Sequence, residues 1–278
     1  VDGIIVGNFV SENALAAVGT CSPLTLLFVA IALGMSNGAA VVVSQLFGAR
    51  RLNEMKRSVA TSLLLLFWMG LGFSVLGMLS AKWLLSSVLG VQGYLLDDAV
   101  LYFRVYAAGL LFQFVYNIVS AVLRSLGDSR ATLYFLLISS LCNVGLDLAA
   151  VLVFRLGVLG VALATVLSQG LSCVLALGYL LKNRDIFSFR RALLKLNGED
   201  TASILKLGIP CAVQMTVASI SWLTVTFLVN GYGVDCSAAS AYAAKVKDLS
   251  MMFITSLINA ASVMIAQTLG AGKFDRAK

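Results

Sequence analysis

Three acidic residues, Asp2, Asp147 and Asp248, lie inside long apolar runs of this sequence. If those runs cross a lipid bilayer, an acid at the centre costs about 2.5–3.5 kcal/mol on insertion scales, so each one needs a reason. A structural reason is a hydrogen bond between packed helices or a position near the membrane surface. A functional reason is a site that binds a proton or a hard cation.

Asp147 has polar companions at a spacing that favours the functional reason. Asn143 lies four residues before it, which places both side chains on one face of a helix. Asp2, Asp147 and Thr165 each lie six to nine residues from the same predicted end of their runs. At roughly 1.5 Å per residue, all three lie about 9–14 Å below one membrane surface. Asn117 lies seven residues from the opposite end of its own run, so it fits this level less well.

Two carboxylates, an amide and a hydroxyl at one level are typical of a proton or cation site. Burial and a second carboxylate both favour the protonated form of a carboxyl group, so the pair could bind a proton near neutral pH. When ionised, Asp2 and Asp147 together with Asn143 could instead hold Na⁺. The residues leave this choice open. Asp248 has a nearer partner in Lys245, and that pair is interpreted as structural.

The composition excludes several kinds of chemistry. The sequence has no histidine, which excludes histidine metal ligands, histidine general bases and Ser-His-Asp triads. Its five cysteines are widely spaced and mostly lie in apolar runs, so they predict neither a CxxC pair nor a disulfide framework. With no metal motif and no paired nucleophile and base, we expect neither an enzyme nor a bound cofactor.

The composition is that of an integral membrane protein. Of 278 residues, 60% are hydrophobic and 12% charged, whereas about a quarter of the residues of a soluble domain are charged. The mean hydropathy is +0.95. The charges are concentrated between long apolar runs, which predicts transmembrane helices rather than the ten-residue strands of a barrel. The predicted fold class is therefore an all-α, polytopic membrane helix bundle.

Seven membrane spans are predicted, at residues 14–47, 58–80, 99–123, 131–154, 157–181, 203–229 and 236–269, and residues 1–7 are predicted to end an earlier span. Alternate connectors must lie on opposite sides of the bilayer. The connectors 48–57, 124–130 and 182–206 and the tail 270–278 hold 15 of the 20 Lys and Arg. By the positive-inside rule these face the cytoplasm, which predicts a multi-pass protein of the cell (inner) membrane. The net charge of +7 thus follows membrane topology and does not indicate nucleic-acid binding.

Two further patterns concern how the helices pack. Gly34, Gly38, Gly48 and Gly72 are predicted to let neighbouring helices approach closely. The stretch 187–196 (FSFRRALLKL) is predicted to form a short amphipathic helix at the membrane surface.

An internal repeat relates the first predicted span to the last. Residues 37–49 (NGAAVVVSQLFGA) and 259–271 (NAASVMIAQTLGA) match without a gap at an offset of 222 residues. Both copies end in a basic connector, which indicates parallel six-helix repeats about an axis along the membrane normal. The predicted domains are an amino-terminal lobe at 1–181 with a truncated first helix, a cytoplasmic linker at 182–202, and the start of a second lobe at 203–278. The chain begins in mid-helix and is expected to be a fragment of a longer protein.

The order and spacing of these segments resemble the bacterial multidrug and toxic compound extrusion (MATE) transporters along essentially the whole chain. The resemblance rests on the following segments: VDGIIVGNF (1–9), ALAAVG (14–19), VSQLFGARR (43–51), VLRSLGDSR (122–130), NVGLD (143–147), GVLGVALATVLSQ (157–169), LKLGIP (205–210) and AQTLGAG (266–272). It implies twelve helices in two six-helix lobes, and export of cationic, amphipathic compounds driven by inward Na⁺ or H⁺. Helices nine to twelve are absent here, so this segment alone is not expected to transport.

The resemblance also implies a cation-coupling network in the amino-terminal lobe. The family pattern has an Asp in helix one, an Asn in helix four, an Asn and an Asp four apart in helix five, and a Thr in helix six. The matching residues here are, in that order, Asp2, Asn117, Asn143, Asp147 and Thr165. The implied partners are organic cations or drugs and the lipid bilayer, and the expected oligomeric state is a monomer.

Two other functions stay open at this point. A related flippase for lipid-linked oligosaccharides shares the two-lobed architecture, but its cleft is expected to carry several Arg or Lys for a phosphate, and bases within the spans are few. A non-transporting membrane assembly subunit would need neither clustered acids nor a duplicated six-helix unit.

Overall fold

The computed structural model describes residues 5–7, 12–91, 93–183, 196–230 and 234–277. Within these ranges the regular structure is helical, with no strand. Asp2 and most of the predicted amphipathic segment 187–196 lie outside the described residues.

The helices follow one another with short connections. They are α1 (the helical residues 5–7), α2 (Glu12–Gly48), α3 (Leu52–Trp83), α4 (Tyr94–Ser125), α5 (Ser129–Leu148), α6 (Gly157–Lys182), α7 (Gly198–Asn230), α8 (Val234–Gly270) and α9 (Phe274–Ala277). A five-residue π-helical turn extends α3 over Leu84–Val88 and α5 over Ala149–Val153. Seven helices in the described part of the chain, α2 to α8, are long and apolar enough to cross a membrane. The predicted spans and the all-α membrane fold are confirmed.

Several helices begin earlier than hydropathy predicts. α3 starts at Leu52 and includes Lys56 and Arg57, which precede the apolar run. α7 starts at Gly198, inside the predicted linker 182–202, because the Asn197 side-chain oxygen accepts hydrogen bonds from the backbone N–H groups of Glu199 and Asp200. Hydropathy marks only the part of a helix that lies in hydrocarbon, whereas helical hydrogen bonding continues into the aqueous flank. The predicted domain limits themselves stay a prediction.

α4 lies at the centre of the bundle, where it packs against α2, α3 and α6. Its side chains Phe103, Leu110, Phe114 and Ile118 are fully buried. α5 packs against α6, while α7 and α8 both pack against α2. This arrangement places α4, α5 and α6 together on one side of the bundle and the α2–α7–α8 contact on another.

The predicted repeat is confirmed by helix bounds and by turn geometry. α2 and α8 each contain 37 residues, and both of their ends differ by the predicted offset, as do the starts of α3 and α9. The turns that follow have matching hydrogen bonds, from Ala49 N to Gln45 O and from Ala271 N to Gln267 O, both 2.9 Å. Arg50 (φ 57°) and Gly272 (φ 70°) take the same left-handed conformation. This is a helix C-terminus that favours glycine, and the first copy holds arginine there.

The two copies also touch one another reciprocally. A Cβ atom on Gly48 would strike the backbone carbonyl of Gln267, and one on Gly270 would strike that of Gln45. On the α7 side, Gly34 lies against Ala212 and Gly38 against Gly208, again backbone to backbone. We call this contact of α2 with α7 and α8 the inner junction, because it lies toward the end of α2 that is predicted to be cytoplasmic. The prediction for Gly72 was wrong, since nothing lies within 4 Å of a Cβ there.

Candidate functional site

A polar pocket of about 220 Å³ opens between α4, α5 and α6. Its lining residues are Gln113, Tyr116, Leu136, Ser139, Ser140, Asn143, Thr165, Ser168, Gln169 and Ser172. None of these ten residues carries a formal charge. Eight of them are Ser, Thr, Asn or Gln, and the other two are Leu136 and Tyr116. The pocket therefore offers hydrogen bonds and oxygen ligands without a fixed countercharge.

Two predicted site residues meet at one end of this pocket. Asn143 is the lining residue of α5 nearest that helix's C-terminus, and Thr165 is the lining residue of α6 nearest its N-terminus. α5 and α6 are antiparallel neighbours joined by a short connection, so both residues lie at the pocket end next to that connection.

The hydroxyl groups of the pocket donate their protons to their own helices. Thr165 Oγ1 donates to the carbonyl of Val161 (3.0 Å), Ser168 Oγ to that of Thr165 (2.8 Å) and Ser172 Oγ to that of Ser168 (3.1 Å). Ser139 Oγ does the same on α5, to Phe135 (2.9 Å). With their protons committed in this way, Ser139, Ser168 and Ser172 present oxygen lone pairs that can accept a hydrogen bond or contact a cation.

Asp147 lies one helical turn beyond Asn143 on α5 and is fully buried, at 0% exposure. The π-helical turn Ala149–Val153 begins two residues later. Burying a carboxyl group this deeply is costly unless a neighbouring group or a ligand compensates it. Asp147 is thus the buried acid next to the polar pocket, although it does not line the pocket itself.

Two amide groups here have unused hydrogen-bonding capacity. Asn117 of α4 is 8% exposed, and its Nδ2 has no hydrogen-bond partner among the described residues. Within the same ranges Gln169 Oε1 is also buried without a partner, and Gln169 lines the pocket. Buried amides without partners are rare, because they cost about 1–3 kcal/mol. A ligand or a displaced side chain that comes within hydrogen-bonding distance would satisfy them.

The structure therefore brings together part of the predicted coupling site. Asn143 and Thr165 share the pocket, Asp147 lies on the same face of α5, and Asn117 is buried on α4 outside the lining. Asp2 lies outside the described residues. The proposed Na⁺ ligands Asp2, Asn143 and Asp147 stay a prediction.

The third acid in an apolar run has a different surrounding. Asp248 on α8 lies 3.6 Å from Lys247 Nζ, and both side chains are largely exposed. The same Lys247 ammonium group lies 3.3 Å from the centre of the Trp222 ring of α7, a cation–π contact. The Lys245 side chain lies outside the described residues.

Sequence reasoning missed most of the pocket, including Gln113, Tyr116, Ser139, Ser168 and Gln169. A signal was present. On α5 the polar residues Ser139, Asn143 and Asp147 recur every four positions, as expected for one face of a helix. Polar residues that recur in this way in several apolar spans could have been grouped into one site.

The MatE family model matches residues 1–149 and 210–278. Two similar proteins of Bacillus subtilis are the probable multidrug resistance proteins YoeA, 30% identical over 98% of this chain, and YpnP, 30% identical over 99% of it. The multidrug export protein MepA of Staphylococcus aureus is 26% identical over 90% of the chain. The chain spans about 60% of the length of the curated relatives it matches (60% of YoeA, 61% of YpnP and 56% of MepA).

Solved structures show the same fold. A MATE protein crystallised in complex with MaL6 matches with a TM-score of 0.90 at 23% identity, covering 99% of this chain and 61% of that one. A MOP superfamily transporter from Pyrococcus furiosus matches with a TM-score of 0.87, also at 23% identity, covering 99% of this chain and 61% of that one.

Proposed function

Since this chain belongs to the MatE family, whose members are membrane transporters and not enzymes, we propose that it serves in a secondary transporter that exports cationic or amphipathic drugs in exchange for Na⁺ or H⁺. The observation that carries the proposal is Asp147, a fully buried acid one helical turn from a polar pocket without formal charge. Such an acid can take up and release a single cation in each cycle, as an antiporter requires.

Ion and substrate compete in this scheme through one local charge. With Asp147 ionised, the region has a net negative charge and attracts a cationic substrate toward the oxygens of Asn143 and Thr165. When Asp147 binds H⁺, or when Na⁺ occupies these oxygens, that attraction is lost and the substrate is released. Exchange follows because the two states differ in affinity for the drug.

The lining of the pocket supports an amphipathic cation over a phosphate-bearing lipid. Leu136 and the Tyr116 ring can contact an apolar body, while serine and amide oxygens accept hydrogen bonds from an ammonium group. Recognition of a phosphate relies on Arg or Lys donors, and none of the ten lining residues is basic. The flippase alternative is therefore the weaker one. We further propose that the protein acts as a monomer, with both lobes on one chain.

The test is transport by the complete native protein in liposomes, with Na⁺ and pH gradients imposed separately. An organic cation such as ethidium is the probe. We expect one of the two gradients to drive uphill movement of ethidium, with no movement in liposomes that lack the protein. Equal ethidium distribution under both gradients would contradict antiport of cationic drugs.

A further inference from the structure

Arg57 and Asp200 form an ion pair between the two repeats. Arg57 lies in the second turn of α3, and Asp200 lies in the first turn of α7, which is 143 residues further along the chain. The guanidinium binds both carboxylate oxygens, with Nε donating to Oδ2 (2.7 Å) and Nη2 to Oδ1 (3.3 Å). A two-point contact of this kind fixes the orientation of both side chains as well as their distance.

This ion pair is shielded from water, unlike its neighbour on the same side of the membrane. The side chain of Asp200 is 10% exposed and that of Arg57 34%. Arg51 and Glu54, three residues apart on the same helix end, also form an ion pair at 2.7 Å, but their side chains are 61% and 35% exposed. The exposed pair spans one turn of a single helix, whereas the shielded pair joins two helices of different repeats. Only the second can hold the repeats together.

The ion pair lies at the end of a continuous line of contact. Along α7 the buried residues Asp200, Ile204, Gly208 and Ala212 recur every four positions, and Gly208 and Ala212 contact α2 in the inner junction. Beyond Ala212, no residue of α7 whose side chain is described is buried. The contact of α7 with α2 in the inner junction therefore involves the N-terminal half of α7.

A second polar contact closes the same end of the molecule. Gln267 of α8 donates its side-chain N–H to the backbone carbonyl of Ser125, at the end of α4 (2.7 Å). Ser44 of α2 is fully buried beside it, with its hydroxyl 3.5 Å from the same carbonyl. Any inward opening that separates α8 from the first repeat must break the hydrogen bond of Gln267 and bring water to the Ser125 carbonyl and to the adjacent Ser44.

We propose that the Arg57–Asp200 ion pair is a latch that holds the cytoplasmic side of the transporter closed, and that its rupture accompanies each inward opening. The proposal rests on the proposed transport function, because only a transporter has to open on that side. Glycine-to-backbone packing holds the inner junction over short distances, whereas the ion pair adds attraction of opposite charges that persists as the helices begin to part. Its loss shifts the population toward the inward-open form.

The test measures access of water to Ser44. In the complete native protein without its own cysteines, Ser44→Cys is exposed to a membrane-impermeant maleimide in everted vesicles, which present the cytoplasmic side. We expect Asp200→Asn to speed labelling of Ser44→Cys by roughly threefold or more, because the closed form loses its latch. Arg57→Gln with Asp200→Asn should do the same and leaves no unpaired charge buried. Glu54→Gln, which breaks the exposed pair, is the matched control and should label at the parental rate.

Parental labelling rates in both latch variants, at normal protein abundance in the vesicles, would overturn the latch. So would an equal acceleration by Glu54→Gln, since any loss of charge at this surface would then suffice. No drug or ion gradient enters the labelling measurement. Faster labelling together with absence of ethidium transport would therefore support the latch and contradict the proposed function. Unchanged labelling together with ethidium transport would support the proposed function and contradict the latch.

Discussion

The polar pocket and the inner junction differ in the residues that form them and in how closely their helices approach. In the pocket, three helices leave about 220 Å³ between them, lined in part by serine hydroxyls that donate to their own helices. The amide oxygen of Gln169, also in the lining, has no hydrogen-bond partner in the part of the chain that the structure describes. In the inner junction, glycines bring backbones into direct contact. Beside it, Arg57 pairs with Asp200 and Gln267 donates to the Ser125 carbonyl, each across two helices. One region is arranged to accept a ligand and the other to hold two repeats together.

This difference shows how a single apolar bundle can separate stability from function. The inner junction attaches α7 and α8 to α2 through direct backbone contacts, whereas the hydroxyls of Ser139, Ser168 and Ser172 in the pocket donate to their own helices. Substitutions in the two regions should therefore change different quantities. Those in the junction should lower the free energy of unfolding or change which side is open, and those in the pocket should change transport at unchanged stability.

The largest effect on stability is expected for Gly38→Ala. The added methyl group would strike the backbone of Gly208 on α7, and forced overpacking of this kind costs about 1–3 kcal/mol of unfolding free energy. Gly72→Ala is the matched control, because nothing lies within 4 Å of its Cβ and alanine favours the helix by about 0.5–1 kcal/mol. Thermal unfolding in detergent should give a lower midpoint for the first and an equal or higher one for the second. Equal midpoints would contradict close packing at Gly38.

A smaller effect is expected for Asp128→Ala, which cuts a contact within the first repeat. Asp128 accepts a hydrogen bond from Ala131 N at the start of α5 (3.2 Å) and another from the Tyr179 hydroxyl of α6 (2.6 Å). Losing both should cost about 1–2 kcal/mol, and Tyr179→Phe, which loses one, should cost less. Because both helices belong to one repeat, neither variant should change maleimide access to Ser44→Cys. Faster labelling would show that the latch is not specific to contacts between repeats.

The smallest effect on stability is expected for Ser168→Ala in the pocket. Its hydroxyl donates to a carbonyl of its own helix, so its removal should change the unfolding free energy by less than about 0.5 kcal/mol. The same unfolding measurement checks it. A loss as large as that of Gly38→Ala would mean that the pocket also holds the bundle together.

Much of this fold is predictable from the sequence, because the cost of leaving backbone polar groups unpaired in lipid makes every long apolar run a helix. The repeat can also be predicted from the sequence. Gly48 and Gly270 are related by the offset of 222 residues, and the turns that follow them have matching hydrogen bonds. That Asn143 and Thr165 lie at the same end of the pocket follows from counting residues along two antiparallel helices.

What hydropathy and spacing do not determine is the rotation of each helix about its axis. Gln113 and Tyr116 enter the pocket because α4 turns that face toward α5 and α6, and packing over the whole bundle decides this. Arg57 lies in a predicted connector and Asp200 in the predicted linker 182–202, where most side chains are solvated. Their pairing depends on helix ends that extend beyond the apolar runs. It also depends on how the two repeats pack, because the two residues are 143 positions apart in the sequence.

If Asp147 couples ion movement to drug movement, as we propose, then Asp147→Asn should uncouple the two. Asparagine keeps the size and hydrogen-bonding capacity of the side chain but removes the charge that a cation or proton must neutralise, so the protein should fold and insert normally. Asp97→Asn, which neutralises an exposed acid of the α4 end, is the matched control.

The measurement is ethidium transport by the complete native protein in liposomes under imposed Na⁺ and pH gradients, at equal protein content. We expect Asp147→Asn to abolish gradient-driven transport and Asp97→Asn to retain it. Uphill transport at the wild-type rate by Asp147→Asn would contradict the account and make this acid a structural residue.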